Sequence, residues 1–200
     1  MKEVVIASKN KGKIVEFKQF FAPYQIQVLS MLDMPDVIDD IEETGETFAE
    51  NAIIKAETLS KLLNKPVLAD DSGLEIDALD GRPGVYSARY AGEDKDDQAN
   101  IKKVLEELSD VPTEERTARF VCVIAIARPG EATFYETGYC YGKIAHTPKG
   151  TNGFGYDPIF IPEGYHQTMA ELSAEEKNRI SHRKHALDQL EAWLVQFSRE

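Results

Sequence analysis

The sequence predicts an α/β protein, because short apolar runs with the length of buried strands alternate with helical patterns. Residues 4–7 form one such run, and residues 14–21 then repeat apolar side chains at helical spacing. A second helical pattern, over 48–63, leads to the apolar strand 66–69. A long hairpin over 117–144 adds two further strands. We therefore expect one large domain or two small lobes built on a sheet.

Charge limits the ligands of this chain of 200 residues. It carries 23 basic and 35 acidic residues and a net charge of −12. That balance argues against sequence-independent binding to nucleic acid or to an anionic membrane. A small anionic ligand would need a local cluster of cations or a divalent metal.

Cysteine content and apolar runs indicate the compartment. Cys122 and Cys140 are the only cysteines, and we interpret them as buried thiols in a reducing environment. No signal peptide is recognisable, and no apolar run approaches the ~20 residues of a spanning helix. We expect a cytoplasmic protein.

The first strand leads into a basic loop. Its residues are Ser8, Lys9, Asn10, Lys11, Gly12 and Lys13. Residues 1–20 hold five lysines against two glutamates, a net charge of +3 in an acidic protein. Helix amides and lysines together favour phosphate binding, although the pattern is not a Walker loop. A solvated, lysine-rich turn is the alternative.

A second strand is predicted over 26–29, and the sign of the charge reverses after it. Residues 33–50 contain eight acids and no lysine or arginine: Asp33, Asp36, Asp39, Asp40, Glu42, Glu43, Glu46 and Glu50. Most must be solvated, but one or two could complete a magnesium shell. A capping box at Thr47–Glu50 opens the helix 48–63. Lys55 lies off its apolar stripe, either on the surface or reaching a ligand.

The strand at 66–69 runs directly into Asp70, Asp71, Ser72 and Gly73. Ligands of α/β proteins collect beyond the carboxyl ends of strands, so acids at such an end are placed for chemistry. Adjacent strand residues face opposite ways, and Asp70 and Asp71 should therefore have different partners. The alternative is an Asx turn that ends the strand.

The next stretch continues the alternation of elements. Apolar spacing from Ile101 to Leu108 predicts a helix that ends before Val111-Pro112. Strands over 117–127 and 133–144 flank a turn at Pro129-Gly130. The turn-rich loop 80–84 receives no role from its chemistry.

A glycine-rich loop over 146–158 sets Phe154 and Tyr156 between glycines and places Asp157 before a proline. Glycines allow close approach to a flat ligand, and an aromatic face can stack on a base. The alternative is a mobile loop with one aromatic anchored in the core.

The C-terminal part predicts two helices. A capping box begins at Ser173, and Leu187, Leu190, Leu194 and Phe197 form a helical stripe. The basic patch 182–185 lies beside it. His182 and His185 lack a third histidine or cysteine nearby, so phosphate or base contact is preferred to metal binding.

Five separated motifs closely resemble the inosine/xanthosine triphosphate pyrophosphatase family when they are taken in this order. They are Ser8–Lys13, Glu42–Gly45 before a helix with Asn51 and Lys55, Asp70–Gly73, Gly153–Pro158, and Ser181–Arg183. Each motif is weak alone, but the set is specific and covers nearly the whole chain. The resemblance implies hydrolysis of deaminated purine nucleoside triphosphates (ITP, dITP, XTP) to monophosphate and pyrophosphate.

The resemblance also implies architecture and partners. It implies an α/β fold of two lobes around a long mixed sheet with flanking helices and a cleft between the lobes. It further implies a single catalytic domain over 1–200, dependence on Mg²⁺, and a homodimer. The partner is a small nucleoside triphosphate, with no nucleic acid and no membrane.

Site roles follow from the same resemblance. Asp71 is the implied general base and a metal ligand, and Glu42 completes the metal site, although the doublet leaves Glu43 open. The implied substrate-binding residues are Ser8, Lys9, Asn10, Lys11, Gly12, Lys13, Lys55, Asp70, Ser72, Phe154, Gly155, Tyr156, Asp157, Lys177, His182 and Arg183.

Two other functions stay open at this stage. One is a related pyrophosphatase that acts on other modified or pyrimidine triphosphates. The other is a nucleotide sensor without turnover, which the adjacent carboxylates Asp70 and Asp71 disfavour.

Overall fold

The structure, a computed structural model, describes residues 2–34, 41–191 and 193–195. Its helices are α1 (Lys11–Phe21), α2 (Phe48–Leu63), α3 (Asp97–Glu107), α4 (Ala174–Ile180) and α5 (His182–Gln189). Its strands are β1 (Glu3–Ile6), β2 (Gln27–Ser30), β3 (Val67–Ile76), β4 (Thr117–Ala127), β5 (Phe134–Ile144) and β6 (Phe160–Pro162). The predicted Asp36, Asp39, Asp40 and Phe197 lie outside the described residues.

One six-stranded sheet has the order β2-β1-β3-β4-β5-β6. β1 is parallel to both β2 and β3, whereas β6 is antiparallel to β5. The sheet is therefore mixed, and with its flanking helices it confirms the predicted α/β class. None of the described helices combines the length and the apolar character needed to cross a bilayer.

Local signals set several elements at their predicted bounds. In α2, the Thr47 hydroxyl accepts from the amide of Glu50, and the Glu50 carboxylate accepts from the amide of Thr47. The helix ends at Leu63 and is capped by Asn64, whose φ of 50° is left-handed. The apolar run 117–127 forms β4 over its whole length because both of its faces are largely buried.

The prediction that a strand ends at Asp70 and Asp71 was wrong, and so was the Asx turn. β3 continues through both acids and through Ser72 to Ile76. Both carboxylates are buried, with Asp70 3% and Asp71 9% exposed. A buried acid is tolerated within a strand where partners compensate its charge, and here those partners come from α1 and α2.

Contacts divide the chain into two compact units. Of the described residues, the first unit contains those within 1–71, 123–137 and 186–195, and the second contains 72–122 and 138–185. In the first, α1 buries Ile14, Phe17 and Phe21, and α2 buries Phe48, Ala52, Ala56 and Leu59.

The second unit has its own apolar core. Leu74 and Ile76 of β3 pack there with Ile101 and Val104 of α3. The guanidinium of Arg116 is buried and donates to the carbonyls of Leu108, Val111 and Ala145. Cys122 and Cys140 are buried thiols, as predicted.

Candidate active site

The basic loop of the first unit folds around the start of α1. Asn10 caps the helix, because its Oδ1 accepts from the amide of Lys13 at 3.1 Å. The amide of Asn10 in turn donates to the Ser8 hydroxyl at 3.1 Å. A Cβ on Gly12 would lie 3.2 Å from Asn10 Oδ1, so glycine leaves room for the cap. The first turn contains no acid, which keeps this helix end electropositive.

Lysines of this loop differ in their surroundings. Lys9 and Lys11 are exposed, as the solvated-turn alternative predicts. Lys13 instead places its Nζ 2.8 Å from Oδ2 of Asp70, whose side chain is 1% exposed. Asp70 therefore holds Lys13 at the helix start.

Asp71 lies in a second cluster of the same unit. Its Oδ2 accepts from the Asn51 amide at 3.2 Å, and its Oδ1 lies 3.7 Å from Nζ of Lys55. That ammonium also donates to Glu43 at 2.6 Å and to the backbone carbonyl of Asp70 at 2.7 Å. The two adjacent acids thus have different partners, which confirms the predicted alternation. Lys55 is a cluster residue and not a surface lysine.

Burial dominates the electrostatics of Asp71. Desolvation raises its pKa to about 6, with Glu43 adding to the rise and with Lys55, Asn51 and Lys13 opposing it. Burial alone would lower the pKa of Lys55, but the carboxylates around it outweigh that effect and raise the pKa. The cluster accordingly contains a charged lysine and a carboxyl group that holds its proton more tightly than an exposed aspartate does.

The acidic turn contributes Glu43 to this cluster. Glu42 is exposed, whereas Glu43 is half-buried against Lys55. Gly45 donates its amide to Oδ1 of Asn51 at 2.8 Å, and a Cβ on Gly45 would lie 2.7 Å from that oxygen. The turn therefore packs on Asn51 so closely that only glycine fits.

The carboxylates of this cluster are the type of ligand that Mg²⁺ prefers. Over the described ranges, no group of three or more His, Cys, Asp or Glu residues forms a complete metal site. Mg²⁺ needs only one or two protein carboxylates, since water and phosphate oxygens supply its other ligands. Glu43 and Asp71 already converge on one cation, the Lys55 ammonium.

In the second unit, the loop 153–157 is organised by Asp157. This carboxylate is 4% exposed, accepts from the amide of Phe154 at 2.9 Å, and is paired with Lys177 of α4. Burial raises the pKa of Asp157, and the charge of Lys177 opposes the rise. The Lys177 ammonium also lies 4.7 Å from the ring centroid of Phe154, which is 49% exposed.

Two anchors that the sequence analysis missed hold this loop in place. The amide of Gly155 donates to Asp97 at 2.7 Å, and the Tyr156 hydroxyl donates to the carbonyl of Ser87 at 2.7 Å. Tyr156 is buried in the core and is the anchored aromatic of the alternative interpretation. The Ser87 hydroxyl donates to the carbonyl of Gly84 at 2.6 Å, which links the end of the loop 80–84 to this anchor.

The remaining predicted residues are also placed in the second unit. The His182 ring stacks on Phe120 with centroids 5.0 Å apart and planes at 18°. Arg183 is 3% exposed at the start of α5, and Ser72 is half-buried on β3.

Gly153→Ala should destabilise the protein. Gly153 has a φ of 78°, and a Cβ there would overlap Oδ2 of Asp157. We expect the free energy of unfolding, measured in urea, to fall by about 2–4 kcal/mol. About 1–2 kcal/mol of that loss would come from the left-handed backbone conformation that alanine must adopt. Gly155→Ala is the matched control, because its φ is 60° and nothing lies within 4 Å of its Cβ. Equal losses in the two variants would contradict the role of the overlap.

Comparisons with known proteins agree on one family. The profile of the Ham1 family matches residues 4–193. The dITP/XTP pyrophosphatase of Oceanobacillus iheyensis is 63% identical over 194 residues, covering 97% of this chain and 98% of that protein. The dITP/XTP pyrophosphatase of Bacillus subtilis is 57% identical over 190 residues, covering 95% and 96%.

Solved structures give the same result. The Staphylococcus aureus Ham1 protein superposes with a TM-score of 0.89 at 51% identity, covering 98% of this chain and 99% of that one. A HAM1 protein from Coxiella burnetii gives 0.91 at 45% identity, covering 98% and 100%. The resemblance that the five motifs indicated is thereby confirmed, and this chain belongs to the Ham1 family.

Proposed function

We propose that this protein hydrolyses deaminated purine nucleoside triphosphates, namely dITP, ITP and XTP, to the monophosphate and pyrophosphate. The observation that carries the proposal is the buried Asp71, whose pKa of about 6 suits a general base. Family membership supports it, because relatives named dITP/XTP pyrophosphatase match 95–97% of the chain.

The first unit would handle the triphosphate. The amides at the start of α1, together with Lys9, Lys11 and Lys13, would offset phosphate charge. Asp70 keeps the Lys13 ammonium at that helix start through the 2.8 Å ion pair. Ser8, Asn10 and Gly12 would shape the loop so that phosphate oxygens approach its backbone.

Asp71 and an acid of the Glu42–Glu43 doublet would hold Mg²⁺. Glu43 is the better candidate by position, because it shares Lys55 with Asp71, whereas Glu42 is exposed. When bound, the ion would stabilise charge on phosphate oxygens and lower the pKa of water.

The reaction needs one proton acceptor from the protein. Asp71 would take a proton from the attacking water while the water oxygen bonds to the α-phosphorus. The bond from the α-phosphorus to its bridging oxygen breaks, and pyrophosphate leaves with that oxygen. Lys13 and Lys55 would stabilise the charge that develops on phosphate oxygens.

The second unit would bind the nucleoside. Phe154 offers an exposed ring for stacking, and Asp157 holds Lys177 beside it. Inosine and xanthosine present an oxygen acceptor at position 6 of the purine, where adenine presents an amino donor. A protein donor from His182 or Arg183 would therefore pair with deaminated purines, and a mismatch costs roughly 1–3 kcal/mol. Ser72 and Gly155 complete the proposed contacts, whereas the predicted substrate contact of Tyr156 is replaced by an anchoring role, because its ring is buried in the core and its hydroxyl bonds to Ser87.

We extend the proposal to a cytoplasmic homodimer in which residues 1–200 form a single catalytic domain. The net charge of −12 supports a small-molecule substrate over nucleic acid or an anionic membrane. Light scattering of the purified protein tests the dimer.

A pyrophosphate-release assay tests the function directly. Its panel contains dITP, ITP, XTP, the ordinary purine triphosphates and the pyrimidine triphosphates, each with Mg²⁺ and with excess chelator. We expect Mg²⁺-dependent turnover that is greatest for the deaminated purines. Preference for a pyrimidine would support the related pyrophosphatase, and binding without turnover would support the sensor.

Lys13→Ala should raise KM for ITP and lower kcat as well. The ammonium would contact phosphate in both the ground state and the transition state. Each 1.4 kcal/mol of transition-state stabilisation that is lost should lower kcat/KM about 10-fold. Lys18→Ala, an exposed lysine later in α1, is the control and should leave both constants unchanged. Unchanged kinetics in Lys13→Ala would show that Lys13 does not contact the phosphates.

The pH profile should show an acidic limb from Asp71. Burial raises the pKa of this carboxyl to about 6 in the metal-free protein, and a bound Mg²⁺ would lower it again, so kcat/KM at saturating Mg²⁺ should rise with pH along a limb that lies below pH 6. The same shift gives the opposite trend in stability. Between pH 3.8, the ordinary pKa of aspartate, and about pH 6, the folded state keeps a proton on Asp71 that the unfolded state has lost. The contribution of Asp71 to the free energy of unfolding therefore decreases as pH rises through that range. A profile of kcat/KM at saturating Mg²⁺ that stays flat from about pH 4 to 8 would contradict the assignment.

A further inference from the structure

We propose that Asn51 is a positioning residue for the catalytic carboxylate. It would hold Asp71 in one orientation and tie it to the turn that holds Glu43. This inference rests on the hydrolase function proposed above.

Two hydrogen bonds fix the Asn51 amide. The side chain projects from α2 and is 1% exposed. Its Oδ1 accepts from the amide of Gly45 at 2.8 Å, and its Nδ2 donates to Oδ2 of Asp71 at 3.2 Å. A backbone N–H can only donate, so the amide oxygen must face Gly45 and the NH₂ group must face Asp71. The orientation of Asn51 is therefore determined by the turn.

Asn51 also distinguishes the two oxygens of Asp71. Oδ2 receives the neutral amide donor, whereas Oδ1 faces the Lys55 ammonium at 3.7 Å, which is beyond hydrogen-bond distance. The bond from Asn51 to Oδ2 limits rotation of the carboxylate about its side-chain torsion. Such alignment matters in a reaction where a small misplacement of the base costs much of the rate.

The same side chain links the acidic turn to β3. Gly45 packs against Asn51 without room for a Cβ, and Glu43 lies two residues before it. Both carboxylates that contact Lys55 therefore depend on Asn51 for their positions. Other residue types fail here for separate reasons: aspartate would place a second carboxylate beside Asp71, and leucine would leave the Gly45 amide without its acceptor.

Two variants separate the bonds. Asn51→Asp keeps an acceptor for Gly45 but removes the donor to Asp71, and Asn51→Leu removes both at similar volume. We expect kcat for dITP to fall about 10- to 100-fold in both variants, the range for one lost hydrogen bond to a charged group, with KM changed less than about 3-fold. Binding of the non-hydrolysable α,β-imido analogue of ITP should stay near wild-type affinity.

Asn100 provides a matched control. It is 2% exposed in α3, accepts from the amide of Ala91 at 2.7 Å and donates to the carbonyl of Ala88 at 3.0 Å, so it too is a buried asparagine with two bonds. Asn100→Asp and Asn100→Leu should lower Tm as the Asn51 variants do, but they should keep kcat within about 3-fold of wild type.

Each outcome decides the inference. Wild-type kcat in Asn51→Asp or Asn51→Leu overturns it, and so does a loss confined to KM or a kcat loss matched by the Asn100 variants. If Asn51→Leu does not fold, Asn51→Ala takes its place, because it also removes both bonds without adding a charge beside Asp71. A wild-type enzyme without pyrophosphate release from dITP and XTP overturns the proposed function and this inference together, whereas an active wild type with unaffected Asn51 variants overturns only the inference.

Discussion

Asp71→Asn is expected to lower kcat by about 100- to 10,000-fold, the range for loss of a general base, while nucleotide affinity stays near wild type. The amide keeps the size of the side chain, so its contact with Lys55 changes little in shape. An amide cannot accept a proton from water at neutral pH, and it is a weak ligand for Mg²⁺. Single-turnover rates with dITP, and binding of the α,β-imido analogue of ITP, measure the two parts separately.

Asp77→Asn is a suitable control for this variant. Asp77 is exposed and bonds to Thr117 and Arg119, so its replacement should leave kcat within about 2-fold of wild type. Wild-type rates in Asp71→Asn would remove Asp71 from the mechanism. A loss of affinity equal to the loss of rate would make it a binding residue instead.

Local patterns predicted the elements that depend on neighbours in sequence. The bounds of α2 and β4 were correct because a capping box and an uninterrupted apolar run are written into contiguous residues. Apolar spacing over 14–21 likewise predicted the body of α1, but the sequence analysis placed Lys11–Lys13 in the loop and did not predict the cap at Asn10.

The end of β3 was mispredicted because the charges of its two acids are balanced by residues that are far away in sequence. Lys13 is 57 positions before Asp70, and Asn51 is 20 positions before Asp71. Two adjacent carboxylates look like the end of a strand when those partners are unknown. Once the partners are in place, the strand can pass through the charges.

The finer detail of the site also depends on tertiary contacts. The sequence left Glu42 and Glu43 open, and only the fold brings Glu43 to Lys55. Ser87 and Asp97 anchor the loop 153–157 through bonds across 69 and 58 positions. No spacing pattern marks such pairs, although Asp97 is an acid in the first turn of α3, a position that favours acids for helix stability alone.

Removal of the side chain that donates a hydrogen bond to the nucleobase should reduce the preference for deaminated purines over adenine. His182→Phe keeps an aromatic ring to stack on Phe120 but cannot donate, and Arg183→Met keeps much of the buried stem without the guanidinium. If either side chain donates to the oxygen at position 6, its variant should lower kcat/KM for ITP by about 10- to 100-fold, because a charged donor contributes about 1.5–3 kcal/mol. The value for ATP should change much less, since its amino group never accepted that bond.

Lys177→Ala separates base selection from general binding. The Lys177 ammonium is held by Asp157 beside Phe154, so its loss should lower kcat/KM for ITP, XTP, GTP and ATP alike. The deciding quantity is the ratio of kcat/KM for ITP to that for ATP in the three variants. If neither His182→Phe nor Arg183→Met narrows that ratio, selection must come from the loop 153–157. Its backbone amides at Phe154 and Gly155 already donate to Asp157 and Asp97, so the loop would have to rearrange when substrate binds.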